Sequence, residues 1–178
     1  MADTMREFFR IVFLCVAAAV GYGVAHDQVS VLIAPEYLVD WHPRLFGLRQ
    51  PQLVALAWGV VATWWVGAGA GIALAVSSRA GSWPKLGAAD LRGGVAATVA
   101  ATAASALAGG LLGYAVHGSI DPGFLRGYVS PEERMPRLAP VAFSHFFAYQ
   151  GAFLAGLVLC AATLARRRRR ARAALQSP

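Results

Sequence analysis

The sequence predicts an all-α integral membrane protein: a four-helix transmembrane bundle with an ordered extracytoplasmic loop between its first two helices. Three observations lead there. Hydrophobic residues make up 57% of the 178-residue chain and charged residues only 14%, at a mean hydropathy of +0.52, whereas a soluble domain carries roughly a quarter charged residues. The remaining charges fall in short clusters separated by long apolar runs. Four of those runs approach the roughly 20 residues an α-helix needs to cross a bilayer, and none alternates as a barrel strand does. These features exclude a disordered chain and argue against a soluble globule. Two cysteines, Cys15 and Cys160, both lie in apolar runs and form no disulfide framework.

Span one covers residues 8–25, with Arg10 near its start, where the long stem can snorkel to the interface. Its basic stub, apolar stretch and closing Gly23-Val24-Ala25 also fit a cleavable secretory signal, which would leave three spans in the same orientation. Span two covers residues 53–76, just after Pro51, a residue suited to a first helical turn. Spans three and four cover residues 95–116 and 141–165, so residues 1–165 form one four-span domain and residues 166–178 a basic tail. The short connection 77–94 predicts that spans two and three are antiparallel neighbours. Ser130-Pro131-Glu132-Glu133 reads as a capping box that starts a helix at Pro131, while Pro136 and Pro140 predict an interruption before span four.

Helices in lipid associate through small residues that let backbones approach closely. Span two offers Thr63, Gly67 and Gly71; span three Ala101, Ser105, Gly109 and Gly113; span four Ala148, Ala152 and Gly156. Packing within one chain is the direct reading of these stripes, and homo-oligomerisation is the alternative. Trp64 and Trp65 lie too deep for interfacial anchors, a role that suits Trp41 and Trp83 better.

Orientation follows the bias of Lys and Arg towards the cytoplasm. Eleven of the sixteen basic residues fall in the N-terminal stub, the second loop and the tail; Arg44, Arg49, Arg126, Arg134 and Arg137 are on the other side. Both termini are therefore expected in the cytoplasm. The run Arg166, Arg167, Arg168, Arg169 and Arg170 directly follows a span and reads as an orientation anchor on anionic lipid, at about 1 kcal/mol per basic residue. Nothing around it supplies a stacking surface or a folded basic face for nucleic acid.

The first outer loop spans about 25 residues, long for a compact bundle, and its length points to function. Val29, Val31 and Ile33 alternate as in a short extended segment, and the stretch 36–41 fits a helical turn on the membrane surface. The combination HDQVSVLIAPEYL, WHP, LAWGVVATWWVG and SRAGSWPKL resembles a group of small four-span bacterial inner-membrane proteins. The resemblance is clear over the first half of the chain and loose at the fourth span. It implies a multi-pass protein of the bacterial inner membrane and singles out the outer loop, but brings no reaction with it.

His26, His42, His117 and His145 all fall at or near the predicted outer face, together with Asp27, Glu36, Asp121, Glu132 and Glu133. Imidazole and carboxylate donors of this kind suit zinc, copper or iron. His145 lies inside the fourth apolar run on a face shared with Ala148 and Ala152, and ionisable residues within spans mark functional sites. His26 shares a face of span one with Tyr22, Ala19 and Cys15, so adjacent spans one and four would bring it level with His145. His26, Asp27, Glu36 and His145 are the leading metal-ligand candidates, with His42 and Glu133 second. A polar cluster that only fixes the loop to the bundle is the competing reading. HExxH, CxxC, serine-elbow, phosphate-loop and dinucleotide signatures are all absent. The expected function is thus a non-enzymatic accessory or assembly component of a membrane complex. The alternatives are a metal-binding, redox-capable membrane protein and a small channel or transporter.

Overall fold

A computed structural model describes residues 2–120 and 131–176, with side chains described for 4–120 and 136–176. The chain forms α1 (Ala2–Ile33), α2 (Pro35–Val39), α3 (Pro51–Val61), α4 (Trp64–Arg79), α5 (Ala88–Val116), a 3-10 turn (His117–Ser119) and α6 (Pro131–Gln176). No strand occurs among the described residues. Four helical stretches are long and apolar enough to cross a membrane: Thr4–Ile33, Pro51–Arg79, Ala88–Ser119 and Pro136–Gln176. They run up and down between one end rich in histidine and another rich in arginine.

α1 does not stop near Ala25. It continues through His26 and Asp27 to Ile33, so the extended segment expected at residues 29–33 is helix. Alternating β-branched residues suggested a strand there, but Asp27, Ser30 and Val31 bury one helical face, at 6%, 3% and 3% exposure. Pro35 ends the helix by disfavouring α geometry at the preceding residue, and Ala34 accordingly sits at φ −142°, ψ 83°. The helical turn expected at residues 36–41 appears as α2 and the bend after it, with Glu36 and Leu38 buried.

Span two is two helices, with a break at Ala62-Thr63 that no proline announces. The Thr63 hydroxyl donates to the Gly59 carbonyl, which the Thr63 backbone N–H would take in an unbroken helix. That N–H turns instead to the Val60 carbonyl at 3.3 Å, so a local side-chain bond competes with the helical ladder. Gly59 crosses α1 closely at this point: a methyl added to it would lie 2.6 Å from Val24 Cα. Gly67 and Gly71 extend the seam against Val16 and Val12.

The short connection between α4 and α5 does not make them neighbours. The two helices have no close backbone approach, and the bundle divides into α1 with α3/α4 and α5 with α6. In the second pair Gly109 lies against Phe143 and Phe147, Gly113 against Ala139, and Ser105 Oγ donates to the Phe147 carbonyl at 2.9 Å. The stripes on α4 and α5 thus pack within one chain. α6 begins at Pro131 and runs unbroken through Pro136 and Pro140, so the expected interruption does not occur. Ser130 and the side chain of Glu133 lie outside the described residues.

Two clamps join the pairs. At the arginine end, Ile11, Cys15, Leu74, Ala75, Leu91 and Val95 share one buried cluster, and Glu7 Oε2 accepts the Ala88 backbone N–H at 3.1 Å. The arginine run is only partly free there, because α6 continues through it. Arg167 is buried beneath the α4–α5 loop, and Arg166 and Arg170 face Asp90 at 3.3 and 3.7 Å. A lipid-anchor role for all five arginines is therefore corrected for Arg167, whose guanidinium is engaged by loop carbonyls. At the histidine end, Ala34, at the joint between α1 and α2, forms a buried contact with Leu138 and Val141 of α6.

Candidate functional site

Between the two clamps the helix pairs are held apart, and the small residues that face each other there leave the gap unfilled. Ala18 and Ala19 of α1, Ala70 and Ala73 of α4, and Ala148 and Ala152 of α6 border a cavity of about 630 Å³. The α6 stripe expected to pack against a neighbour therefore lines open space instead. A Cβ added at Gly156 would meet nothing within 4 Å. Thr98 and Thr102 also border the cavity, but each hydroxyl donates to a carbonyl four residues earlier on α5, so the wall there is effectively apolar.

The end of the cavity near the histidines has different chemistry. Continuation of α1 past Ala25 places Tyr22, His26 and Ser30 one turn apart on a single face. Ser30 Oγ donates its one proton to the His26 carbonyl at 3.0 Å and lies 2.9 Å from His145 Nε2. With that proton spent, His145 donates to Ser30 from Nε2, the same nitrogen that faces Asp27 Oδ1 at 3.7 Å. The His26 and His145 rings are 4.4 Å apart between centroids. His26, Asp27 and His145 therefore converge where α1 meets α6.

α2 and α3 complete the wall. The Tyr37 ring lies 4.6 Å from that of His145 and 5.1 Å from that of His42. His42 Nδ1–H donates to the Tyr37 carbonyl at 2.8 Å, and its ring meets Trp58 edge-on at 5.0 Å. Burial pushes the Tyr37 phenol up to about 12, so it stays protonated at neutral pH. Tyr22 OH, His26 Nε2 and Trp58 Nε1 are shielded from solvent and have no hydrogen-bond partner among the described residues. Such groups typically cost about 1–3 kcal/mol each until an acceptor or donor reaches them.

The other expected ligands sit elsewhere. Glu36 is buried but faces Arg137 at 3.3 Å and does not border the cavity. His117 bonds the Tyr114 carbonyl on the outer turn of α5. Among the described residues, no group of three or more His, Cys, Asp or Glu side chains is arranged to hold a metal ion; Asp121, Glu132 and the Glu133 side chain lie outside those residues. Ser30, Tyr37 and Trp58 were not anticipated as site residues. For Ser30 the signal was its spacing of four from His26, visible only if residues 26–33 are read as helix. Neither a protein-family model, nor a curated protein, nor a solved structure matches the chain.

Proposed function

We propose that this chain is a polytopic protein of the bacterial inner membrane, with both termini in the cytoplasm, that holds an amphipathic molecule between its two helix pairs. It acts as a non-enzymatic accessory or assembly component, binding its occupant without covalent chemistry. The observation that carries this reading is the two-part character of the cavity. Its body is bordered by alanine, glycine and valine, and its end by a hydrogen-bonding cluster of Tyr22, His26, Asp27, Tyr37 and His145. Its volume falls within the roughly 300–1,000 Å³ usual for small-molecule sites, which combine apolar walls with a few placed polar groups. An occupant would lay its apolar chain along α4, α5 and α6 and bring its polar head to the end that charge bias assigns to the periplasm.

Thermal unfolding of the delipidated, detergent-purified full chain tests this, with a total polar-lipid extract or a neutral-lipid extract added back. A ligand at a hundredfold excess over its Kd contributes about 2.7 kcal/mol, a rise of about 5–10 °C for a chain of this size. A Cβ added at Gly156 meets nothing within 4 Å, so Gly156→Phe projects its ring into the cavity; it should melt no lower than the parent and show a weaker lipid response. Absence of a shift with either extract, or an equal shift in Gly156→Phe, would overturn the proposal.

A further inference from the structure

We infer that the head of the occupant is a flat, uncharged ring bearing carbonyl oxygens, the chemistry of a quinone with an apolar tail. This rests on the amphipathic-ligand reading above and goes on to name the class of ligand. The first support is a continuous ladder of six rings in the cavity wall. Tyr22 stacks on His26 at 5.5 Å and 21°. His26 meets His145 at 4.4 Å and His145 meets Tyr37 at 4.6 Å. Tyr37 meets His42 at 5.1 Å, and His42 meets Trp58 at 5.0 Å. All six residues border the cavity, and a planar head gains offset or edge contacts with such a wall that a tetrahedral head cannot.

The second support is the sign of the unmet polar groups. Tyr22 OH and Trp58 Nε1 are donors without a partner, and His26 Nε2 is a third buried polar atom without one, able to donate or accept by tautomer. Two of the three residues flank opposite ends of the ring ladder, which suits a head with separated acceptor oxygens. The third support is charge. Among the described residues no lysine or arginine borders the cavity, whereas phosphate recognition draws on such cations. A phosphate head would also meet the Asp27 carboxylate. A quaternary ammonium would suit an aromatic cage, but it accepts no hydrogen bond and would leave both donors unmet. The Asp27 carboxylate already faces His145.

The test titrates the delipidated full chain in detergent with decylubiquinone, following tryptophan quenching and thermal shift, beside phosphatidylglycerol, dioleoylglycerol and dodecyltrimethylammonium. The expected result is saturable one-to-one binding of the quinone, at least tenfold tighter than the other three. Tyr22→Phe and Trp58→Phe keep a ring and remove a donor, and each should weaken quinone binding about five- to tenfold. Tyr22→Phe should at the same time raise the melting temperature of the ligand-free protein, since it removes an unmet hydroxyl; a purely structural tyrosine would show no such opposition. Unchanged quinone affinity in both variants overturns the inference. Preference for a phospholipid, the diacylglycerol or the ammonium overturns it too, and leaves the amphipathic-ligand reading standing. No binding of any of the four overturns both.

Discussion

Arg167→Ala is the substitution whose effect can be worked out most completely. Arg167 is 1% exposed, and its guanidinium donates to four carbonyls, one in the last turns of α4 and three in the loop that connects α4 to α5. Nε reaches Pro84 O at 3.0 Å and Nη1 reaches Ser77 O at 2.8 Å. Nη2 reaches Ala80 O at 2.7 Å and Trp83 O at 3.1 Å. Bonds to a charged donor are each worth about 1.5–3 kcal/mol when nothing replaces them. Gly81, Ser82 and Trp83 are exposed, so water re-satisfies part of the loop once the guanidinium is gone. The expected net loss is about 3 kcal/mol, at the lower edge of what breaking a buried charged cluster costs. For a chain of this size that is a fall of about 6–12 °C in Tm, read by circular dichroism on the detergent-purified protein. Arg167→Lys should recover less than half, because one ammonium cannot span four carbonyls as the planar fork does. Arg168→Ala, at an exposed position, should stay within about 0.5 kcal/mol of the parent. An Arg167→Ala protein that melts like Arg168→Ala would refute the view that this arginine ties the two helix pairs together.

Gly59→Leu should cost about 3 kcal/mol or prevent assembly, because its Cβ meets the α1 backbone at the Gly23–Val24 peptide and neither helix can yield locally; a parent-like melt in detergent would contradict the Gly23–Gly59 crossing. Ser30→Ala removes the hydroxyl that joins the His26 carbonyl to the His145 ring, and about 1–2 kcal/mol of stability should go with it, checked by the same melt. Arg137→Ala leaves the buried Glu36 carboxylate without its ion-pair partner. Since the arginine side chain is 55% exposed, the expected loss is only about 1 kcal/mol, and a loss as large as that of Arg167→Ala would show that the α2–α6 contact had been undervalued.

The helical class and the four apolar stretches were legible because a helix able to cross a membrane is defined by length and composition, and both are properties of the string itself. The glycine stripes on α4 and α5 were legible for the same reason: a repeat of four puts small residues on one face. The α6 stripe shows the limit of that logic. Ala148, Ala152 and Gly156 have the same spacing, yet they border a cavity, because the clamps at the two ends hold α1 and α4 away from them. Which neighbour a stripe meets is a tertiary matter. So is the separation of α4 from α5, where a short connection suggested direct packing.

His26, Asp27 and His145 were picked out by type and depth, and they do converge. Glu36 was grouped with them by sequence proximity, but the bend at Ala34 and α2 turn it towards Arg137 instead. The break at Thr63 was hidden because its cause is a hydroxyl competing for one carbonyl, and threonine sits in many unbroken helices. Arg167 looked like its four neighbours in a run of five. Only the fold of the α4–α5 loop distinguishes it.

The most direct measurement is native mass spectrometry of the full chain released gently from its own membranes. The expected result is one non-covalently bound amphiphile per chain in the parent protein and a lower occupancy in Gly156→Phe. Bare protein in both samples, or the same adduct at the same occupancy in both, would contradict it.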